Sequence, residues 1–180
     1  MIGSIIFLTK RKEKPYYRKF ISYMIAKMTR NKGQRLEDVK VHAAIIYRYD
    51  DTLYVREMES KGNINYTLVE YNALYGDRMV IYSHNMSFDE WNVDRFNFSC
   101  RNQSVKYDYK NTFIFQIVKR YTTLFLGRNT PYHRMCAEDT QTQFNLLSCN
   151  YFKTPESTNP NELWNLINGV WKINKNDLLL

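Results

Sequence analysis

Lys40-Val41-His42-Ala43-Ala44-Ile45-Ile46-Tyr47-Arg48-Tyr49-Asp50-Asp51-Thr52-Leu53-Tyr54-Val55-Arg56-Glu57-Met58-Glu59 reads as two strands joined by a turn. Val39 to Arg48 is rich in Val, Ile and Tyr with two small alanines, as a buried strand would be, and Leu53 to Glu59 returns beside it. With Asp50-Asp51 as a two-residue turn, Tyr49 faces Thr52, and counting back sets Ala44 opposite Glu57 and His42 opposite Glu59. Side chains alternate faces with period two, so His42, Glu57 and Glu59 then share one face. A bulge or a three-residue turn would change that register. Ala43 and Ala44 leave room for an element packed closely on the strand, and a helix beginning at Cys136 is the candidate.

Upstream, Ser4 to Thr9 reads as a strand and Pro15 opens a helix from about Tyr16 to Arg30, with Phe20, Met24, Ile25 and Met28 at helical spacing. Asn31-Lys32-Gly33 ends it. Downstream of Lys61-Gly62, Ile64 and Tyr66 mark a short strand, Leu68 to Leu74 a helical turn, and Met79 to Ser83 another strand. Ser87-Phe88-Asp89-Glu90 has the spacing of a capping box, predicting a helix from Phe88 to about Cys100 whose Trp91, Phe96 and Phe98 belong to the core. Asn111 to Leu126 predicts a buried helix too short and too charged to span a bilayer. A last helix is capped by Asn159, with Pro160 in its first turn and Glu162 three residues after the cap; Lys172 to Leu180 is a terminal strand or a tail.

The 180 residues fit one domain, and 15 Tyr and 10 Phe supply much of its core. A formal charge of +8 suits an anionic partner. Much of the excess sits in Lys10, Arg11, Lys12, Lys14, Arg18, Lys19, Lys27, Arg30, Lys32 and Arg35, interleaved with Tyr16, Tyr17 and Tyr23. Polyanion contact through Lys10 to Arg35 is one reading of this segment, and the solvated face of a surface helix is the more common one. Ile2 to Leu8 is short, broken by Gly3 and Ser4, and followed by its positive charges, which reads as a strand and not a signal peptide or membrane span. The expectation is a cytoplasmic protein. Three cysteines, Cys100, Cys136 and Cys149, have no metal-ligand spacing.

In Tyr132-His133-Arg134-Met135-Cys136-Ala137-Glu138-Asp139-Thr140 a cysteine stands where a loop becomes a helix, after the breakers Gly127 and Pro131. Free backbone N–H groups and the positive end of the helix dipole favour a thiolate there. A cysteine nucleophile needs a base and a group that orients the base. Cys136, His42 and either Glu57 or Glu59 supply these three types, in the chain order histidine, glutamate, cysteine. His84 and His133 are equally available as isolated residues, and each member taken alone is more often structural.

Ser4-Ile5-Ile6-Phe7, Lys40-Val41-His42-Ala43-Ala44-Ile45-Ile46, Tyr54-Val55-Arg56-Glu57-Met58 with Gly62, and Tyr132-His133-Arg134-Met135-Cys136-Ala137-Glu138 resemble the circularly permuted branch of the NlpC-type papain-like superfamily. That branch includes bacterial and phage proteins and is similar to the lecithin retinol acyltransferase group. The resemblance runs from about residue 3 to about residue 165. It implies a permuted papain-like α+β fold, a small antiparallel sheet packed against helices, with Cys136 as nucleophile and His42 as base. The motif favours Glu57, followed by Met58, as third member, whereas the register favours Glu59. Ala43-Ala44 departs from the family, where a glycine near the histidine is usual, and Asn85 to Asn129 carries no matching motif.

The implied chemistry is that of a cysteine amidase or peptidase working through a thioester, on a peptide, amide or acyl substrate, with no metal or organic cofactor. Two rival expectations are an inactive protein of the same fold used for binding, and a nucleic-acid-binding domain working through the basic segment.

Overall fold

The computed structural model describes residues 1–9, 16–108, 133–149, 151–153, 155 and 158–174. Its centre is the hairpin of β2 (Lys40–Tyr49) and β3 (Thr52–Glu59). Asp50 and Asp51 lie in the left-handed region at φ 45° and 59°, the conformation that matches a two-residue turn to the strand twist. The ladder runs from Tyr49 opposite Thr52 to Ala44 opposite Glu57, as the alternation predicts.

β1 (Ile5–Thr9) pairs antiparallel with β2 on one side and with β5 (Met79–Ser83) on the other. β4 (Gly62–Thr67) follows β3 through a tight turn. Gly62 has φ +113°, and a Cβ there would stand 2.7 Å from the Val105 carbonyl oxygen, so only glycine allows that approach. β8 (Lys172–Asn174) pairs with β5, so the start of the C-terminal segment is a strand. The sheet order is β4-β3-β2-β1-β5-β8, antiparallel throughout. A separate parallel pair joins β6 (Lys106–Tyr107) to β7 (His133–Arg134).

Five α-helices occur among the described residues: α1 (Tyr16–Thr29), α2 (Leu68–Tyr75), α3 (Glu90–Asn102), α4 (Cys136–Leu147) and α5 (Pro160–Ile167). The chain is therefore α+β. On one side of the sheet Ile5, Phe7, Ala43, Ile45 and Tyr47 meet Phe96 of α3, Ala137 and Phe144 of α4 and Leu163 of α5. On the other, Ile6, Leu8, Ala44, Ile46 and Val55 meet Leu68, Tyr71 and Tyr75 of α2. Both faces of β1 and β2 are thus covered, which is why their sequences are nearly continuous apolar runs. Burying each large side chain in these layers contributes roughly 1.5–3 kcal/mol before entropy is counted. The two alanines beside His42 divide the work, Ala43 packing with Ala137 under α4 and Ala44 facing α2.

Two local expectations are corrected. α3 begins at Glu90, and its cap is Asp89, which accepts from the Trp91 N–H at 3.1 Å, instead of Ser87. Of its three aromatics only Phe96 is core; Trp91 and Phe98 are 68% and 71% exposed. The helix lays one stripe on the sheet, and residues five before or two after Phe96 point elsewhere at 3.6 residues per turn. The α5 cap is as expected, with Asn159 and Glu162 each accepting from the other's backbone N–H at 3.0 Å. The helix expected over Asn111 to Leu126, the breakers Gly127 and Pro131, and the residues Lys10 to Lys14 of the basic segment lie outside the described residues. Among the described residues no helix is long and apolar enough to cross a membrane.

Candidate active site

Cys136 is the first residue of α4 and is 6% exposed. The first turns of a helix carry backbone N–H groups with no acceptor inside the helix, so the Cys136 sulfur stands beside a set of aligned donors. Glu138 steadies the approach to the helix by accepting from the Met135 N–H at 3.2 Å. It is buried, which raises its carboxyl to about 7 against the pull of that hydrogen bond and of Arg134.

His42 projects from the end of β2 that faces Cys136. The ladder with β3 stops at Ala44, and His42 instead pairs with Leu8 of β1, just before a register shift between Leu8 and Thr9. Its ring is 20% exposed, and Nε2 lies 2.9 Å from Glu57 Oε2. With Nε2 on Glu57, the other ring nitrogen is left for Cys136, which lies close enough to act on the charge of the ring. Burial alone would push the imidazolium down. The Cys136 sulfur and then Glu57 overcome it and lift His42 to about 10.

Of the two glutamates that the sequence leaves open, Glu57 is the one bonded to His42. Glu57 is 2% exposed and takes a second hydrogen bond on Oε2 from the Tyr71 hydroxyl at 2.8 Å. Burial works to raise its carboxyl, yet the bonds from His42 and Tyr71 hold it below the ordinary carboxylate range. Glu59, one step along the same face, accepts from the Tyr75 hydroxyl at 3.4 Å. The register misses this because it extends the β2–β3 ladder two pairs too far, past Ala44 and Glu57.

Tyr71 is a member that the sequence reading does not contain. It is fully buried on α2, and burial followed by the charge of Glu57 keeps its hydroxyl protonated far up the pH scale. Its spacing from Tyr75, four residues, is the one signal in the sequence, since it places both hydroxyls on one helix face.

Arg56 is a second omission. Its side chain is 0% exposed and donates to both Asp139 oxygens, at 2.8 and 3.2 Å, and to the Cys100 and Gln103 carbonyls at 2.8 and 2.9 Å. Asp139 also receives Arg134 at 3.2 Å. A guanidinium removed from water in this way is tolerated because its hydrogen bonds and its charge are both answered.

The other two histidines have different surroundings. His84 is packed against Phe88, Phe144 and Trp171. Its Nε2–H donates to the Ile2 carbonyl at 3.1 Å, its Nδ1 accepts from the Met86 N–H at 3.3 Å, and burial lowers its pKa. His133 is exposed on β7. Beside Cys136 opens a cleft with a mostly apolar lining, including Ile25 and Met28 of α1, Val41, Tyr107, Met135 and Pro160.

Compared with family models, curated proteins and solved structures, the chain matches none of them.

Proposed function

We propose that the protein is a cysteine hydrolase of the amidase or peptidase type, carried on a permuted papain-like version of the α+β fold. The observation that supports this most is the position of His42, whose Nε2 is bonded to the buried Glu57 and which is close enough to Cys136 for the sulfur to raise its pKa. A nucleophile at a helix start, a base and an anionic partner for the base form the set that thiol acyl transfer requires.

The steps follow from that set. His42 holds the proton of Cys136, and the sulfur attacks a carbonyl carbon, forming a tetrahedral oxyanion beside the α4 N-terminus, where the Cys136 backbone N–H donates to it. The oxyanion collapses, the bond to the leaving amine or alcohol breaks, and His42 protonates the leaving group. Water, giving its proton to His42, then attacks the thioester and releases the acid and the thiol. Glu57 stays ionised throughout and holds the imidazolium in place, and the Tyr71 hydroxyl fixes Glu57.

The test is acylation by an activated ester. Wild type incubated with p-nitrophenyl acetate is expected to release nitrophenol with a burst and to carry an acetyl group on Cys136, found by peptide mass spectrometry. Cys136→Ser and His42→Ala are expected to lose both signals. Acetylation of Cys149 or of lysines at the same rate as Cys136 would remove the proposal.

A further inference from the structure

The two residues before Cys136 are tied down on both sides of the peptide that joins them to it. The Arg134 carbonyl accepts from the Asp108 N–H at 3.2 Å, the Met135 N–H donates to Glu138 Oε2 at 3.2 Å, and the Met135 carbonyl accepts from the Asp139 N–H at 2.9 Å. Arg134 adds a tie through its side chain, which is 12% exposed. Its Nη1 donates to Asp139 Oδ1 at 3.2 Å and to Gln103 Oε1 at 3.5 Å. Both acceptors are placed by other residues, Asp139 by the two arms of Arg56 and Gln103 Oε1 by Gln143 Nε2 of α4 at 2.8 Å. Asp139 therefore has its charge answered without Arg134. What the Arg134 bond adds is a closed ring, running from its guanidinium through Asp139 and the Asp139 N–H back to the Met135 carbonyl. The peptide inside that ring carries the Cys136 N–H, and a donor to an oxyanion works by being aimed before the charge develops.

We propose that Arg134 is a positioning residue for the oxyanion donor, closing the ring that fixes the plane of the Met135–Cys136 peptide and so the direction of the Cys136 N–H. The inference deepens the reading of Cys136 as the nucleophile of acyl transfer and rests on it. A single nitrogen of Arg134 meets both acceptors, so a lysine ammonium, with three donors, can take its place, and the planar fork of arginine is not required.

Two reagents separate the aim of the N–H from the reactivity of the sulfur. p-Nitrophenyl acetate reacts through a tetrahedral oxyanion, whereas iodoacetamide is attacked at a saturated carbon and makes no use of the donor. Both reactions are run at pH 6, below the value of about 7 for the Glu138 carboxyl, which Arg134 also influences. Arg134→Met keeps the apolar stem; it is expected to acetylate Cys136 more slowly, on the order of ten-fold, and to alkylate it at the wild-type rate. Arg134→Lys is expected to recover acetylation. Amide hydrogen exchange of Met135, followed by NMR in the full chain, reads the ring without any chemistry and is expected to be faster in Arg134→Met and slow again in Arg134→Lys. Unchanged acetylation in Arg134→Met, equal losses of acetylation and alkylation, or a loss in Arg134→Lys as deep as in Arg134→Met overturns the positioning role, and wild-type exchange in Arg134→Met overturns the ring. A wild type that carries no acetyl group on Cys136 would instead remove the acyl-transfer reading, and the exchange rates would still decide whether Arg134 holds the peptide.

Discussion

Asp139 lies one helical turn beyond Cys136 and receives both arms of Arg56, the residue next to Glu57 in the chain. One buried ion pair therefore joins the strand that carries the glutamate to the helix that carries the cysteine. Removing one partner of such a pair strands the other, which costs roughly 3–5 kcal/mol, whereas replacing both with apolar residues is often neutral. Arg56→Ala is expected to lose that amount in urea denaturation, and Arg56→Met combined with Asp139→Leu to recover most of it. A loss under about 1 kcal/mol in Arg56→Ala would show that the pair does not hold the two elements together.

Tyr71→Phe removes a buried hydroxyl from Glu57 Oε2 while leaving its ring in the layer over Ile6, Ala44 and Ile46. The expected cost is about 1.5–3 kcal/mol, the range for a hydrogen bond to a charged group. Cys136 alkylation at pH 6 should slow as well, because Glu57 is less firmly held. Unchanged stability together with unchanged alkylation would make the hydroxyl dispensable.

Glu138 gives a pH dependence of defined sign. Its carboxyl is raised from 4.5 to about 7 by burial, so the folded chain binds this proton more tightly than the unfolded chain. Its stabilising contribution is fully present below about pH 4.5 and is lost as the pH rises through 7. Glu138→Gln keeps the acceptor for the Met135 N–H and removes the titration. The variant is expected to exceed wild type by about 2–3 kcal/mol at pH 8 and to lose that advantage near pH 4.5. Parallel stability curves for the two proteins across this range would contradict the assignment.

His42 titrates in a different window. Its pKa rises from 6.5 to about 10 on folding, so its contribution is complete below 6.5 and fades as the pH climbs to 10. The stability difference between wild type and His42→Gln, from urea melts, should be flat below that window and shrink across it. A difference that grows with pH would mean that His42 is neutral in the folded protein.

The hairpin was the most legible part of the fold. Asp50-Asp51, with the alternation of β2 and β3, set a register that holds from Tyr49 to Ala44, because a one-residue slip would turn every buried side chain outward. Asn159 and Glu162 announced their helix for a similarly local reason. What lay beyond the sequence depends on non-local packing. Nothing near Ile5 to Thr9 tells that β1 lies in the middle of the sheet between β2 and β5. Arg56 reads as a solvated strand charge until α3 and α4 bring it carbonyls and a carboxylate. Tyr71 was hidden because a helix of eight residues leaves a weak periodic signal, and Trp91 and Phe98 misled because aromatic content does not say which stripe of α3 meets the sheet. At the candidate site, Cys136 and His42 stood out by chemistry and context, and the structure bonds His42 to Glu57. The choice between Glu57 and Glu59 needed the point at which the β2–β3 ladder ends.

The pairing of Cys136 with His42 is tested most directly by the pH dependence of Cys136 alkylation with iodoacetamide, read by peptide mass spectrometry in wild type and His42→Ala. A free thiol reacts appreciably only near its ordinary pKa of about 8.5, and one paired with an imidazolium reacts well below it. The account predicts fast alkylation of Cys136 at pH 6, slow alkylation of the exposed Cys149 under the same conditions, and loss of the fast reaction in His42→Ala. Cys136 reacting no faster than Cys149 at pH 6, or equally fast with and without His42, would contradict it.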